Sequence, residues 1–290
     1  MTNVTEQPKT IASAVNSGVT AKAPVGVVAG NTKDLGSGYF HGIVYSETDA
    51  RKTSTAAAFA GPEKTLILLT RSKEQLRPLQ SSEPNKNFHY LQISSGEGLE
   101  WAMQFPEKAA DVAGFPQWKD MEDRVLLVDD MSEGANLLVD DKSVREDGRE
   151  VKDGRQIYKA TNDAIRDLLQ SMKRKPMHLL MTALATVKEN SVTNEETIYP
   201  LMPTGVRSLI TAEMEYVFYV KKSSWKMLTT TSFISYKKKD DFGKDQVYRR
   251  EIFAKNKLPK ELLGLQPPVI RTEEDMDLAA LWKRIREAKK

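Results

Sequence analysis

The chain contains no cysteine, which removes disulfides, zinc ribbons and thiol nucleophiles in one step. Histidine is nearly as scarce. His41, His89 and His178 show no ligand spacing, so a histidine-built metal centre is not expected. No apolar run approaches the roughly 18 residues of a membrane span. The N-terminus lacks a charged start leading into an apolar segment, so secretion is not expected either and the implied compartment is the cytoplasm. What is present is the composition of a globular protein: 290 residues, 40% hydrophobic and 29% charged, enough to bury a sizeable core.

The net charge of +3 is unevenly spread. Between Lys221 and Lys260 stand twelve Lys/Arg against four Asp/Glu, a local +8 that leaves −5 for the rest of the chain. Such a segment attracts nucleic acid phosphates, or else is a solvated charged hairpin. Residues 1–37 are rich in Thr, Ala, Val, Gly and Asn without a sustained period and read as a flexible arm. Compact apolar runs at Gly38–Tyr45, Thr65–Thr70, Tyr90–Ile93, Val125–Val128, Met177–Thr182 and Glu215–Val220 read as strands. Helices are expected at Thr53–Ala60 (stopped by Gly61-Pro62), Glu97–Gln104, Ile157–Met172 and from Glu273 to Lys289. The last carries Met276, Ala279, Ala280, Trp282 and Ile285. Asp140–Arg155 reads as an exposed loop, and Trp225–Ser235 with Gln246–Ala254 as an antiparallel hairpin turning at Asp240–Gly243. Strands alternating with helices predict an α/β fold with a mainly parallel sheet, flanked by helices and followed by the hairpin and a C-terminal helix. The expected division is an arm (1–37), a main domain (38–265, including the basic segment 221–260) and a linker with helix (266–290).

In such sheets ligands sit at the carboxyl ends of the strands. Three chemically suggestive stretches fall there: Ser46–Thr53, Asp129-Asp130 and Thr182–Leu184. The first, between an apolar strand and a helix of small residues, reads as a phosphate-binding loop without its glycines. A Walker A loop, G-x-x-x-x-G-K-[ST], uses glycine to let backbone N–H groups wrap phosphates, lysine to reach them and a hydroxyl to bind Mg²⁺. Here Ser46 and Arg51 replace the two glycines while Lys52 and Thr53 keep the last pair. Where the loop needs a positive φ, a Cβ costs roughly 1–2 kcal/mol. Asp49 tolerates that region better than most residues. Arg51 could add a positive charge to the site.

In their order these pieces resemble the RecA-like P-loop ATPases, and within them a phage branch associated with recombination and single-strand DNA annealing. That branch tends to begin Tyr-Gly-x-x-Gly-x-Gly-Lys-Thr, and Tyr45–Thr53 aligns to it without a gap, with Ser46, Asp49 and Arg51 in the glycine positions. Gly61-Pro62, Tyr199-Pro200, Gly205 and Ala254–Lys257 also look like the branch. The resemblance implies a RecA-like core that binds ATP and Mg²⁺, with Ser46, Asp49, Arg51, Lys52, Thr53 and Ser54 around the nucleotide. It implies metal binding by Thr53 and Asp129, and a homo-oligomer or an assembly with a related subunit acting on single-stranded DNA in the host cytoplasm. The sequence departs from the pattern where a water-orienting acid is usual: the strand ends Leu69-Thr70-Arg71, with Glu74 several residues late. It departs again where a polar sensor is usual, at Leu184.

Two functional readings follow. One is a nucleotide-binding protein of DNA recombination, repair or annealing with weak ATPase activity. The other is a pseudo-ATPase that keeps the fold as a DNA-binding or scaffold module. A small-molecule kinase fits less well, because no Arg-bearing lid is evident. For nucleic acid the candidates are Lys226, Lys237, Lys238, Lys239, Arg249 and Arg250, with Trp225, Tyr236 and Tyr248 available to stack on bases or to pack against the body of the protein. The segments after the Asp strand and the sensor strand, Asp130–Arg155 and Ala185–Thr204, offer no convincing phosphate-binding surface, the second having Lys188 as its only Lys/Arg.

Overall fold

The computed structural model describes residues 38–288, apart from 49, 83–86, 145–147, 191, 240–242, 259–261, 263–264 and 266–267. The expected arm at 1–37 and the turn residues 240–242 lie outside the described residues. In chain order the elements are β1 (His41–Ser46), α1 (Lys52–Ala57), β2 (Thr65–Leu69), α2 (Arg77–Ser82), β3 (His89–Gln92), α3 (Gly96–Gln104), α4 (Pro106–Val112), β4 (Val125–Asp129) and α5 (Met131–Ser143). They continue with α6 (Gly154–Lys173), β5 (His178–Asn190), β6 (Glu195–Pro200), α7 (Thr204–Glu213), β7 (Tyr216–Lys221) and β8 (Lys226–Leu228). The last are β9 (Ser232–Lys239), β10 (Asp245–Ile252), β11 (Glu273–Asp275) and α8 (Leu278–Ala288).

The expected architecture is present: a mixed α/β fold whose central strands, in the order β7-β1-β5-β4-β2-β3, are all parallel. Alternation along each strand makes the layers. Ile43, Tyr45, Leu66, Leu68, Leu126, Val128, Leu179 and Met181 face one core, which α3 to α7 cover. Val44, Ile67, Leu69, Val125, Leu127, Leu180 and Phe218 face the other, covered by α1, α2 and α8. Both faces of β1, β2, β4, β7 and the first half of β5 are dry, which is why they read as continuous apolar runs, whereas the edge strand β3 is half exposed. Small residues let helices come close. At Gly96 an added Cβ would lie 2.6 Å from the Leu137 carbonyl oxygen, so the start of α3 can rest on α5 only as glycine. After α1, Gly61 takes φ +79 and, with Pro62, turns the chain toward β2.

Four expectations need correction. Asp140–Arg155 is not a single loop. Its first part completes α5, which Asp130 caps by accepting from Glu133 N (3.0 Å), with Glu133 and Lys142 matching the dipole at the two ends. Ala185–Thr204 is likewise not a loop: β5 runs on to Asn190 and pairs antiparallel with β6, which pairs parallel with β10. The strand expected at Trp225–Ser235 is two strands. The first, β8, turns back onto β7 and β11 in the main sheet, while β9 pairs with β10. The last helix begins at Leu278 after the short β11, and buries Leu278 and Leu281 with Trp282 and Ile285, leaving Ala280 exposed. Helices α2 and α4 had no clear sequence signal. Among the described residues no helix is long and apolar enough to cross a membrane.

Candidate functional site

The carboxyl ends of β1, β2, β4 and the middle of β5 meet at one cavity of about 400 Å³. Arg51, Lys52, Thr53 and Ser54 line it from the start of α1, Asp129 and Asp130 from the end of β4, Arg71 from the end of β2 and Leu184 from β5. Register explains the meeting: β5 lies between β1 and β4, pairing Ser46 with Leu184 and Val128 with Met181.

Asp129 is buried at the centre. Its carboxylate accepts from Thr53 Oγ1 at 2.9 and 3.0 Å and from Thr182 Oγ1. Burial pushes its pKa up, against those two hydroxyls and the charges of Lys52 and Arg71. Asp130, joined to it by a cis peptide, is spent on structure. Its side chain caps α5 and pairs with Arg71 at 2.9 Å, and both its backbone groups bond Thr70 Oγ1. Burial raises the Asp130 carboxyl as well, with Arg71 opposing.

The loop between β1 and α1 is closed by side chains. Ser46 Oγ (2.8 Å) and Lys52 Nζ (3.0 Å) both donate to the Glu47 carbonyl. Ser46 is therefore turned into the loop and does not line the cavity; Asp49 lies outside the described residues. Arg51 adopts φ 55, ψ 25, the left-handed conformation that a glycine takes without strain, and its guanidinium lies 5.0 Å from the Trp225 ring. Glu74 sits in the short turn at Lys73–Leu76 and does not line the cavity. Reading the sequence for a water-orienting acid passed over Arg71, which brings a guanidinium into the cavity. Its position immediately after β2 was the available signal.

The donor set can be tested against the nucleotide and metal that the resemblance implies. One hydroxyl and one carboxylate, 2.9 Å apart beside a buried lysine, suit an octahedral Mg²⁺ that keeps waters and takes its other oxygens from phosphates. Among the described residues no group of three or more His, Asp and Glu could hold a metal by itself. Thr53 and Asp129 would hold the ion, and Lys52, Arg51 and Arg71 bring positive charge to the cavity.

The basic candidates do not form one patch. Lys226 is on β8 and pairs with Asp275 of β11. Lys238 and Arg250 share one face of the β9–β10 hairpin with Tyr236 and Tyr248, and they pair with Glu189 of β5 and Glu196 of β6. Lys237, Lys239 and Arg249 project from the opposite face, exposed, with Arg249 over Phe233 at 4.4 Å. Trp225 belongs to neither group and stands beside Arg51. His41 and His178 are buried at the far ends of the strands, where His178 Nδ1 accepts from Phe40 N at 2.7 Å.

Fold and site together define a layered α/β protein with an oxygen- and cation-lined cavity at the carboxyl edge of its parallel sheet. No protein-family model and no curated protein matches the chain. Among solved structures it is similar to a prototypical ATPase of the type III secretion system of pathogenic bacteria (10% identity, TM-score 0.41, covering 63% of this chain and 51% of that one). It is also similar to a KaiC-like protein from Pyrococcus horikoshii (13%, 0.35, 66% and 76%). A third is an ATP synthase subunit from Nanoarcheaum equitans (14%, 0.41, 64% and 46%). The chain thus spans about half the length of the first and third of these. The assignment of fold rests on the strand order and register of the chain itself.

Proposed function

We propose that this chain is a RecA-like nucleotide-binding protein that takes ATP with Mg²⁺ in the cavity at Lys52, Thr53 and Asp129. The observation that carries the reading is the convergence of the adjacent Lys52 and Thr53 with the sequence-distant Asp129 in one cavity with two further guanidinium groups. Phosphoryl transfer relies on positioning and charge, so this set supplies binding. Hydrolysis needs in addition a group that orients water. Asp130 is committed to Arg71 and to capping α5, and Leu184 presents an apolar wall. Slow or absent turnover is the corresponding reading, which makes the pseudo-ATPase the specific form we favour.

The wider setting, DNA recombination, repair or annealing of phage type, is inferred from the order of the sequence motifs and from the exposed cations of the hairpin. Assembly into a homo-oligomer or with a related subunit belongs to the same inference.

The deciding experiment is thermal unfolding with and without Mg²⁺-ATP on the wild type and Lys52→Ala. A ligand at about 100 times its Kd adds about 2.7 kcal/mol. A shift that disappears in the variant supports the reading. No shift at millimolar ATP in either protein removes it. A steady-state ATPase assay on the same samples separates a slow enzyme from a binding module.

A further inference from the structure

A second cavity, of about 440 Å³, lies on the outer side of α1 and shares Arg51 and Ser54 with the first. Its character is different. Pro62, Phe88, Met276 and Trp225 give it apolar and aromatic walls, and among the described residues Arg51 is the one charged side chain lining it. Trp225 is 42% exposed and holds a left-handed backbone (φ 53) in the turn between β7 and β8, fixed by its N–H donating to the Lys221 carbonyl at 2.9 Å. A bulky residue in that region is a genuine outlier, and such strain gathers where the surroundings impose it and function uses it. Here the strain places an indole at the mouth of the cavity with the Arg51 guanidinium over its face.

We propose that this second cavity receives the base of a nucleotide whose phosphates occupy the first, with Trp225 as the stacking platform and Arg51 at the junction. The proposal rests on the nucleotide reading above and adds the ligand's other half. A nucleotide has an anionic end and a flat aromatic end joined by a short sugar. The two cavities offer a cationic, hydroxyl-bearing end and an aromatic end joined through two shared residues. A guanidinium and a base both favour the face of an indole. Ligand entry therefore places the base against Trp225 and leaves Arg51 free to swing toward the phosphates. Among the described residues the lining presents few hydrogen-bonding side chains, so purines are held by stacking and ATP and GTP differ little.

The test compares Mg²⁺-ATP with Mg²⁺-tripolyphosphate, which lacks base and sugar, by calorimetry on the wild type, Trp225→Ala and Trp225→Phe. Loss of stacking weakens ATP about tenfold relative to tripolyphosphate in Trp225→Ala, since release of Arg51 from the ring affects both ligands alike, and Trp225→Phe largely restores the ratio. Trp225 is also the exposed indole, since Trp118 and Trp282 are buried and Trp101 is partly so; its emission responds to ATP in a way that tripolyphosphate, which only draws Arg51 off the ring, does not reproduce. An ATP-to-tripolyphosphate affinity ratio that is the same in wild type and Trp225→Ala, with tripolyphosphate bound by both, overturns the base site and leaves the phosphate site standing. Failure of the wild type to bind either ligand overturns the nucleotide reading, and the base site with it.

Discussion

Asp129→Asn separates what the central carboxylate does for the fold from what it does for a ligand. Without a metal, the carboxylate is a buried charge that accepts from two threonine hydroxyls. Burial is the leading influence on it and raises its pKa. A group whose folded-state pKa is raised contributes stability at low pH that is lost as pH rises through that value, so at neutral pH the ionised form is a cost. An amide of the same shape removes the charge and keeps an acceptor for Thr53 and Thr182. The variant without ligand should therefore be more stable by about 1 kcal/mol, or roughly 2–4 °C in Tm for a domain of this size. With Mg²⁺-ATP at about 100 times the wild-type Kd the order reverses. The wild type gains about 2.7 kcal/mol, roughly 5–10 °C, while the variant, unable to anchor the metal's shell, gains less than half of that. The assay is a pair of melts for each protein, repeated with EDTA, which should bring the wild-type gain down to that of the variant. A variant that is less stable alone and keeps the full Mg²⁺-ATP gain would refute both the buried-charge argument and the metal assignment.

Three further outcomes are expected. Burial pushes the His178 imidazole down to about 4, partly offset by Asp123 at 3.6 Å, while His41 and Arg286 also lower it. Its folded pKa being depressed, the stability it contributes is present above pH 6.5 and is lost as pH falls toward 4. About 2 kcal/mol should go between pH 6.5 and 5, and urea midpoints of His178→Gln should lack that part of the slope. Arg51→Gly relieves the left-handed strain and should raise unliganded stability by roughly 0.5–1 kcal/mol, while ATP affinity falls severalfold; tighter ATP binding would instead show that Arg51 blocks the site. Reversing Lys237 and Arg249 to Glu should weaken single-stranded DNA binding and flatten the log K against log salt slope by about 1.4, whereas reversing Lys238, already paired with Glu189, should change the slope little. Equal slopes for all three proteins would exclude the exposed hairpin face as the contact.

The parts legible in the sequence were those whose physics is local or uniform. The innermost strands lie between two helical layers, so β2 and β4 are apolar runs that end abruptly at a polar residue, Thr70 and Asp129. What stayed hidden lacked such a boundary. The outer half of β5 runs out of the layered body into solvent and β6 buries only every second residue, so Lys188-Glu-Asn and Glu195-Glu-Thr carry a loop's composition although they pair as strands. Helix α5 disappeared because its last turn is charged and merges with a polar loop. In the site, Lys52, Thr53 and Asp129 were visible from spacing and strand ends. Arg71 and Trp225 were not, because their roles depend on which strands lie side by side: β2 beside β4, and β8 folded back on β7 instead of continuing into β9.

The closed loop sets an expectation for affinity. In a glycine loop the backbone is arranged to meet phosphate oxygens, and the lysine reaches them unopposed. Here Lys52 Nζ already bonds the Glu47 carbonyl, which Ser46 Oγ also satisfies, and Arg51 lies on Trp225. A phosphate must draw Lys52 away from its hydrogen bond to the Glu47 carbonyl, worth about 0.5–1.5 kcal/mol net, and Arg51 away from a cation–π contact worth about 0.5–1 kcal/mol at an exposed site. Together these exchanges weaken binding by about one order of magnitude or somewhat more relative to a loop with nothing to give up. The shared Glu47 carbonyl thus closes the empty loop at a cost in affinity, whereas Arg51 strains the loop through its left-handed backbone while adding charge for a phosphate. Under the proposed function, these hydrogen bonds are what make the loop hold its nucleotide loosely.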